Sequence, residues 1–437
     1  MARGRKQIVI LGGGFGGLYT ARELEKELGA DPDVEITLVN RDNFFLFTPM
    51  LHEVAASDLD PADIVNPIRK LLKRTQFFVG NVEAIDLDSK KVKVSHGESQ
   101  HPHELAYDQL VIALGSVSNF FNLPGVEKRA LTMKSLNDAV TLRSRLIEQL
   151  DEADFECCPA MRESLLTIVV AGGGFAGVET VAAVNDFLRE AVKYYHNLSE
   201  EMIRVVLVEH GPAVLPELDG SLGVYAAEKL SRRGVEIRLQ TAVTSMSERA
   251  VTLSDGTSIN TRSLIWTAGT APNPLLAALA CSKEKGKLIV DENLEIPARP
   301  GVWALGDCAA IRDRQSGKLH PPTAQHALRQ GKVVAHNVIA TVRGAAKKPF
   351  VFSTIGQLAA IGRRTGVAHI LGVNFSGFIA WWMWRTIYLS KLPRFEKKVR
   401  VALGWSLDLF FSKDLVQLKT NDATVCRSGA IKHQSAA

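Results

Sequence analysis

The segment IVILGGGFGG at residues 8–17 decides the fold of this chain. Its apolar first half, residues 8–11, predicts a buried parallel strand, and residues 18–28 predict the helix that follows. Three glycines at the G-x-G-x-x-G spacing connect them: Gly12, Gly14 and Gly17. The first glycine allows a tight turn, the second lets a pyrophosphate approach the backbone, and the third lets the helix pack on the strand. The segment therefore predicts a dinucleotide-binding turn.

The same pattern returns in the middle of the chain. Residues 167–171 predict a strand, and a helix is predicted from Val178 to about Asn197. A second set of glycines at the same spacing lies between them: Gly172, Gly174 and Gly177. Each unit also has a later strand that ends in small residues, Ala113-Leu-Gly115-Ser in the first and Trp266-Thr-Ala-Gly269 in the second. We infer an internal duplication that binds two dinucleotides.

The end of the second strand of each unit carries a residue suited to an adenosine ribose. In the first unit this residue is Asn40, where a carboxylate is usual, and an amide still hydrogen-bonds a ribose. In the second unit it is Glu209, which follows a predicted strand at residues 204–208. A carboxylate there accepts hydrogen bonds from ribose hydroxyls and repels a 2′-phosphate. The sequence therefore favours NADH over NADPH.

Two later segments point to a flavin. A strand at residues 302–307 ends in Gly306-Asp307, which we expect to meet the ribityl and phosphate part of the flavin; alternatively, Asp307 caps the next helix. That helix is predicted to begin near Pro321, and its positive end suits an anionic flavin ring. An earlier apolar segment, residues 43–55 with a turn at Pro49, fits a functional role and a place in the apolar core equally well on composition alone.

Composition limits the class of protein. At 437 residues the chain is expected to hold two or three domains, and its net charge of +5 is small for this length. Five cysteines without a C-x-x-C pair favour a reducing, intracellular compartment. We expect no metal site, no signal peptide, no transmembrane helix and no nucleic-acid partner.

The C-terminal region has a different character. Residues 375–411 contain four of the six tryptophans, and five apolar residues follow a helical spacing: Val399, Leu403, Leu407, Phe410 and Phe411. Seven Lys or Arg residues and two acidic residues between 381 and 413 leave a local charge of +5. This pattern predicts an interfacial amphipathic helix on a membrane, with a core-facing helix or a dimer interface as the alternatives. The polar tail after Thr420 is expected to be disordered.

Together these motifs resemble the flavoproteins with two dinucleotide-binding domains, and most closely the type II NADH dehydrogenases, which are non-pumping NADH:quinone oxidoreductases held on one membrane leaflet. The resemblance runs from about residue 7 to 411. It implies an α/β fold with two Rossmann-like domains, a noncovalent FAD in the first domain and NADH in the second. It also implies a C-terminal region of amphipathic helices that associates with the membrane.

The resemblance also assigns residues to the reaction. It implies that Phe47-Thr48-Pro49 lies near the isoalloxazine, that Glu179 lies near the nicotinamide and the quinone, and that Ala324-Gln325 contacts the flavin and lines the quinone site. Glu179 is then the candidate proton donor if burial raises its pKa; alternatively it is a first-turn glutamate favoured by the helix dipole. Arg329 stands where the family usually has a second glutamine, so a cation there stabilises a reduced quinone anion or suits a different acceptor.

The expected site residues form four sets. The catalytic candidates are Glu179 and Gln325. The FAD-binding candidates are Gly12, Gly14, Phe15, Gly17, Asn40, Pro49, Ala113, Gly115, Gly306, Asp307, Ala324 and Gln325. The NADH-binding candidates are Gly172, Gly174, Gly177, Glu179, Glu209 and Gly269. The quinone-site candidates are Gln325, His326 and Arg329.

The expected domains are an FAD-binding domain at 1–132 and 295–345, an NADH-binding domain at 133–294, and a membrane-associating or dimerisation region at 346–437. The expected location is the cytoplasmic face of a bacterial inner membrane, with a homodimer as a possibility. Two other functions remain open. One is a flavin-dependent reductase of the sulfide:quinone or disulfide type, which requires paired redox cysteines. The other is a redox sensor that binds NADH with little turnover.

Overall fold

The computed structural model describes residues 5–417 apart from 315 and 409, so the predicted disordered tail after Thr420 lies outside the described residues. The strands, in chain order, are β1 Lys6–Leu11, β2 Val34–Asn40, β3 Phe44–Leu46, β4 Val65–Pro67, β5 Gln76–Val79, β6 Asn81–Asp86, β7 Lys91–His96, β8 His101–Ala106, β9 Gln109–Ile112, β10 Ser116–Ser118, β11 Leu131–Thr132, β12 Thr167–Ala171, β13 Arg204–Val208, β14 Val235–Arg238, β15 Val243–Met246, β16 Ala250–Leu253, β17 Ser258–Asn260, β18 Ser263–Trp266, β19 Thr270–Pro272, β20 Lys283–Glu284, β21 Lys287–Ile289, β22 Val302–Ala304, β23 Ala309–Ala310, β24 Gly356–Ala360, β25 Gly366–Ile370 and β26 Val373–Ser376.

The α-helices connect and cover these strands. In chain order they are α1 Phe15–Leu28, α2 Leu51–Ala55, α3 Ile68–Leu71, α4 Val126–Arg129, α5 Leu136–Phe155, α6 Pro159–Leu166, α7 Phe175–Ala191, α8 Gly220–Arg232, α9 Ala324–Arg343, α10 Gly377–Lys391 and α11 Phe395–Leu407.

Two parallel five-stranded sheets confirm the predicted duplication. The first has the order β22-β9-β1-β2-β5, and the second has the order β11-β18-β12-β13-β14. Every neighbouring pair in both sheets is parallel, so β1 corresponds to β12 and β2 to β13. The edge strand of the first sheet, β22, comes from late in the chain, which therefore returns after completing the second sheet. The carboxyl ends of the central strands are where ligands bind in such sheets.

Helices α1 and α7 begin directly after the glycine turns, three residues before their predicted starts. Gly14 and Gly174 occupy the N-cap positions in extended conformation. Helix α7 also ends earlier than predicted, at Ala191 rather than near Asn197. The physical reason is tertiary, because the backbone N–H of Asn197 donates to a carboxylate oxygen of Asp154 at 2.8 Å and holds this segment against α5.

Helix α9 crosses α1 at a glycine contact. A Cβ at Gly331 would lie 2.5 Å from the carbonyl oxygen of Gly16, so only glycine permits this approach. The hydroxyl of Thr20 lies 2.9 Å from the Gly16 carbonyl and 3.1 Å from the Gly331 carbonyl. This contact places the N-terminal end of α9 beside the first glycine turn.

The C-terminal region is a hairpin sheet, β24 to β26, followed by two helices rather than the single helix predicted. Pro393 lies between α10 and α11, where the missing proline N–H disfavours a continuous helix. Val399, Leu403 and Leu407 of the predicted stripe are exposed on α11, whereas the stripe's last two residues, Phe410 and Phe411, lie beyond the helix end.

The tryptophans of this region mostly pack inward, which corrects their assignment to the membrane surface. Trp384 is fully buried and Trp405 is 6% exposed, whereas Trp382 is 57% exposed. The rings of Trp384 and Trp405 lie 6.3 Å apart and join α10 to α11. The tryptophan cluster therefore serves mainly to attach the C-terminal helices to the rest of the protein.

Three of the seven expected surface cations also turn inward. The guanidinium of Arg385 lies 4.2 Å from the ring centre of Trp381. Lys397 is buried and donates to the carbonyl of Ala62 at 2.6 Å. Lys413 forms an ion pair with Asp58 at 2.7 Å. The basic surface of this region is thus smaller than the sequence indicates.

Candidate active site

The first glycine turn has the shape that a dinucleotide requires. Gly12 has a φ of +102°, and a Cβ there would lie 2.3 Å from the carbonyl oxygen of Ala113. A Cβ at Gly17 would lie 1.8 Å from the carbonyl oxygen of Gly12. At Gly14, by contrast, a Cβ would meet none of the described atoms within 4 Å. The turn is therefore tightly closed on its protein side and open where a pyrophosphate approaches the start of α1, so its residues fit FAD.

The second turn repeats this geometry closely. Gly172 has a φ of +105°, and a Cβ at Gly177 would lie 1.7 Å from the carbonyl oxygen of Gly172. The nearest atom to a Cβ at Gly174 would be a carboxylate oxygen of Glu217, at 3.7 Å. The second turn therefore also leaves room for a dinucleotide beside the N-terminal end of α7.

Asn40 and Glu209 occupy equivalent positions and hold their turns in the same way. Asn40 Oδ1 accepts a hydrogen bond of 2.7 Å from the backbone N–H of Gly13. Glu209 accepts hydrogen bonds from the backbone N–H groups of Gly173 and Gly211. The amide at position 40 therefore replaces the usual carboxylate without loss of the contact to the turn.

The two small-residue strand ends differ in their surroundings. Gly115 has a φ of +68° and faces open space among the described residues. A Cβ at Gly269 would lie 2.7 Å from the ring of Phe121, so the glycine lets this ring cover the strand end. Phe121 is 55% exposed, so it lies at the surface of the second site.

Asp307 is positioned by a partly buried polar network and not by a helix terminus. The hydroxyl of Ser116 lies 2.6 Å from Asp307 Oδ2, and Lys134 Nζ donates to the same hydroxyl oxygen at 2.8 Å. The next α-helix has Thr323 at its N-cap, so the alternative in which Asp307 caps that helix is wrong. Gly306 donates its N–H to Gln330 Oε1 at 2.8 Å, which ties this segment to α9.

The first turns of α9 bring Gln325 and Arg329 together. Arg329 donates to the backbone carbonyl of Gln325 at 2.9 Å, and its guanidinium lies 4.2 Å from the ring centre of Phe352. Gln325 Nε2 donates to the carbonyl of Gly356 at 3.1 Å. His326 is only 1% exposed, and burial lowers its pKa to about 4, so this imidazole is neutral. Ala324 begins the helix.

Pro49 lies in a short 3-10 turn, Thr48–Met50, between β3 and α2. The buried ring of Phe47 just before it contacts Phe15 of the first glycine turn, with ring centres 5.8 Å apart. Phe47 also contacts Tyr388 of α10 at 6.2 Å. The segment at residues 43–55 is thus part of the apolar core and packs against the first glycine turn.

Glu179 is held in a largely buried position near the start of α7. Its Oε1 accepts hydrogen bonds from Trp384 Nε1 at 3.0 Å and from the backbone N–H of Ala360 at 3.2 Å. Burial raises the pKa of this carboxyl to about 8, and the two hydrogen bonds partly offset that rise. Glu179 is the fifth residue of α7, whose first turn contains no acidic residue, so its position gives little support to the alternative of a first-turn glutamate favoured by the helix dipole.

Two neighbouring residues escaped the sequence analysis. His52 Nδ1 lies 3.8 Å from Glu179 Oε2, and burial lowers the pKa of this imidazole to about 3. Glu53 is 6% exposed, and burial raises its pKa to about 8. The sequence feature that could have identified them is two adjacent titratable residues inside an apolar segment, since such residues are seldom buried in a purely structural core.

Comparison with known proteins extends these observations. The family model for pyridine nucleotide-disulphide oxidoreductases matches residues 6–331, and the model for the NDH2 C-terminal domain matches residues 355–414. A type II NADH:quinone oxidoreductase of Mycobacterium tuberculosis is 34% identical over 96% of this chain and 91% of its own length. A demethylphylloquinone reductase of Synechocystis is 33% identical over 93% of this chain and 96% of its own length.

Solved structures show the same fold. An NDH2 from Plasmodium falciparum in complex with NADH superimposes with a TM-score of 0.88 at 20% identity, covering 94% of this chain and 100% of that one. A sulfide:quinone oxidoreductase from Aquifex aeolicus gives a TM-score of 0.71 at 18% identity, covering 93% of this chain and 95% of that one. On the evidence of the two family models and the sequence relatives, the chain belongs to the type II NADH:quinone oxidoreductases of the pyridine nucleotide-disulphide oxidoreductase family.

Proposed function

We propose that this protein oxidises NADH and reduces a membrane quinone with the aid of a noncovalently bound FAD, without pumping protons. The observation that carries the proposal is the pair of nearly identical glycine turns on two parallel sheets, which offers room for two dinucleotides. Family membership supports the same reaction. When bound, the flavin supplies the hydride and electron transfer between NADH and quinone.

The first site would hold FAD through residues on both parts of the FAD-binding domain. Asn40 would bind the adenosine ribose, while Asp307, fixed by Ser116, would bind the ribityl chain. The full set consists of Gly12, Gly14, Phe15, Gly17, Asn40, Pro49, Ala113, Gly115, Gly306, Asp307, Ala324 and Gln325.

The second site would bind NADH. Glu209 would accept hydrogen bonds from the adenosine ribose and would repel the extra phosphate of NADPH. It is only 7% exposed, which strengthens both effects because solvent screens the charge weakly there. The full set consists of Gly172, Gly174, Gly177, Glu179, Glu209 and Gly269.

Glu179 would donate a proton to the quinone as it becomes quinol. The reduction needs two protons, one of which arrives with the hydride of NADH. The raised pKa keeps the Glu179 carboxyl protonated at neutral pH and still able to release its proton. Gln325 would orient the quinone through its side-chain amide from the first turn of α9.

Arg329 would lie at the edge of the quinone site and stabilise negative charge that develops on the quinone oxygen. Its contacts to Gln325 and Phe352 fix its position. His326 is a buried, neutral residue of the first turn of α9. It would support the quinone site by packing rather than by donating a proton.

The protein would bind one membrane leaflet through exposed apolar residues of α10, α11 and the segment after them. Among the described residues, no helix is long and apolar enough to span a bilayer. The exposed apolar residues are Phe378, Ile379, Trp382, Phe395, Val399, Leu403, Leu407, Phe410 and Phe411. We place the protein on the cytoplasmic face of a bacterial inner membrane. Part of this exposed apolar surface of the protein would also form the interface of a homodimer.

The domain division that we propose is 1–132 with 295–345 for FAD, 133–294 for NADH, and 346–437 for membrane association. The sheet order supports the return of the chain to the first domain, since β22 joins the first sheet although it follows the whole second sheet. It corrects the first boundary by two residues, because β11 at Leu131–Thr132 pairs with β18 and so belongs to the second sheet.

The cysteines give little support to a sulfide or disulfide reductase. All four described cysteines are free. Cys308 lies near the first site but is fully buried, and burial raises the pKa of its thiol to about 11, which makes it a poor nucleophile. Cys157 and Cys158 are exposed after the end of α5.

The test follows flavin absorbance anaerobically. NADH is expected to bleach the bound flavin, NADPH much less, and a short-chain quinone is expected to restore the absorbance rapidly. Bleaching without recovery by any quinone would contradict the proposal that a quinone is the electron acceptor, and would favour the redox-sensor hypothesis. Recovery only with a disulfide substrate would favour the reductase alternative.

A further inference from the structure

A second buried carboxyl, Glu53, lies close to Glu179. Glu53 is on α2, and its Oε2 accepts a hydrogen bond of 3.0 Å from Trp405 Nε1. Glu179 accepts the corresponding bond from Trp384, whose ring lies 6.3 Å from that of Trp405. The two glutamates are therefore held by neighbouring indoles, one from each C-terminal helix.

Both glutamates line one cavity of about 70 Å³. A buried water needs about 10–15 Å³ of such space, so the cavity can hold several water molecules. Arg363, with 53% of its side chain exposed, forms part of the wall, so the cavity extends from Glu179 to the protein surface. Two buried polar atoms at the cavity, Asp408 Oδ2 and Arg385 Nε, have no hydrogen-bond partner among the described residues, as expected where water fills the space.

The charged groups of the cavity come from every element around it. The carboxyl groups are those of Glu53, Asp58, Glu179, Asp186, Glu190 and Asp408. The cations are Arg363, Arg364, Arg385 and Lys413, and His52 completes the titratable set. Lys413 neutralises Asp58 and Arg233 neutralises Asp186, both through ion pairs. Among the described residues, neither Glu53 nor Glu179 forms an ion pair with a lysine or arginine. The residue within ion-pair distance of Glu179 is His52, which is neutral.

We propose that this cavity is the route by which protons from solvent reach Glu179, with Glu53 as the relay residue on that route. The inference rests on the proposed quinone reduction. Glu179 gives its proton to the quinone and becomes a carboxylate. Glu53 then transfers its proton through cavity water to Glu179, and Glu53 regains a proton from solvent by way of Asp408. One proton enters through the cavity for each quinone reduced, which matches the proton not delivered by NADH.

The electrostatics suit this transfer. Burial raises the pKa values of Glu53 and Glu179 to about 8 each, so moving a proton between them costs little free energy. Burial also raises the pKa of Asp408 to about 6, which makes it a suitable entry group nearer the surface. The positive charge of Arg385 lowers the pKa of Glu53 and so partly offsets the effect of burial. The same charge stabilises the Glu53 anion between transfers.

The test compares Glu53→Gln with Glu53→Asp, and uses Glu228→Gln, which changes an exposed residue of α8, as the control. Glu53→Gln is expected to leave flavin bleaching by NADH unchanged and to lower kcat with a short-chain quinone at least tenfold, with a changed pH profile. Glu53→Asp is expected to restore much of the rate. Infrared spectra of protein with ¹³C-labelled glutamate, recorded across pH without substrate, should lose one protonated-carboxyl signal in Glu53→Gln.

Three outcomes are distinct. If the wild type is bleached by NADH but no quinone restores it, the proposed function fails. If the wild type turns over and Glu53→Gln keeps its kcat and pH profile, the relay is refuted although the function stands. If Glu53→Gln does not fold, Asp408→Asn takes its place, and an unchanged kcat at every pH in that variant refutes the route.

Discussion

Trp384 Nε1 donates a hydrogen bond to Glu179 Oε1 at 3.0 Å, although the residues are 205 positions apart. Helix α10, which exposes Phe378 and Trp382 on its outer side, therefore also closes the space around a buried acid on its inner side. One helix thus combines a surface suited to a lipid leaflet with the enclosure that sets the pKa of Glu179. This arrangement links the place where a quinone would arrive to the group that would protonate it.

Glu179→Gln is expected to slow quinone reduction by about 100-fold or more, since general acid catalysis typically contributes about 10²- to 10⁴-fold. The wild-type kcat should fall as pH rises through about 8, because the donor loses its proton there, and the variant should lack this alkaline decrease. Stopped-flow kinetics separate flavin bleaching, which should persist, from quinone reduction. Full turnover with an unchanged pH profile would remove Glu179 from the mechanism.

Gly17→Ala and Gly14→Ala are expected to fail in different ways. The methyl group at position 17 would meet the Gly12 carbonyl at 1.8 Å, so the turn must distort and the protein should lose stability. At position 14 the methyl group meets none of the described atoms, so the protein should fold but bind less FAD because the methyl group occupies ligand space. Thermal unfolding and the ratio of flavin to protein measure the two effects. Equal flavin content in Gly14→Ala and wild type would show that the pyrophosphate lies elsewhere.

Glu209→Gln is expected to raise KM for NADH at least tenfold, since a hydrogen bond to a charged group contributes about 1.5–3 kcal/mol and tenfold corresponds to about 1.4 kcal/mol. The preference for NADH over NADPH should shrink because the charge that repels the 2′-phosphate is gone. Steady-state kinetics with both nucleotides check this, and flavin content should not change. The matched control, Glu228→Gln, removes an exposed carboxylate from the same domain. A KM equal to the control's would contradict the ribose contact.

Leu403→Gln combined with Leu407→Gln is expected to weaken binding to lipid vesicles. Both side chains are more than half exposed on α11, and burying a leucine contributes about 1.5–3 kcal/mol, so vesicle affinity should fall at least tenfold. Sedimentation with vesicles containing anionic lipid measures this effect, and ultracentrifugation without lipid reports the oligomeric state. Unchanged vesicle binding with loss of a dimer would assign this face to self-association.

Stability should depend on pH in two opposite ways. Burial lowers the pKa of His52 to about 3, so acidification below the unfolded value of 6.5 favours the unfolded chain, which takes up the proton first. Burial raises the pKa values of Glu53 and Glu179 to about 8, so both carboxyls stay protonated in the folded protein while the unfolded chain loses these protons, and stability falls as pH rises from 4.5 towards 8.

Glu53→Gln should therefore flatten the alkaline side of this profile. Chemical denaturation between pH 5 and pH 8 measures the slope for wild type and variant. The acid side, which depends on His52, should keep its slope in the variant. Parallel profiles on the alkaline side would show that Glu53 is ionised at neutral pH.

Glu179 and Gln325 were named by the family resemblance, and their roles stay predictions. By itself, the sequence determined the two glycine turns and the parallel strands around them. These features are local, because the spacing of Gly12, Gly14 and Gly17 follows from backbone geometry within ten residues. The equivalent positions of Asn40 and Glu209 were likewise predictable from the ends of their strands, whereas their contacts to ribose stay predictions.

The tertiary structure alone decided which polar residues are buried together. Trp384 and Trp405 were expected at a membrane surface, yet they pack inward and hold Glu179 and Glu53. Glu53 lay unnoticed in an apolar run because its partner is 352 positions away. A raised pKa comes from the loss of water around a carboxyl, and that loss depends on which distant segments cover it.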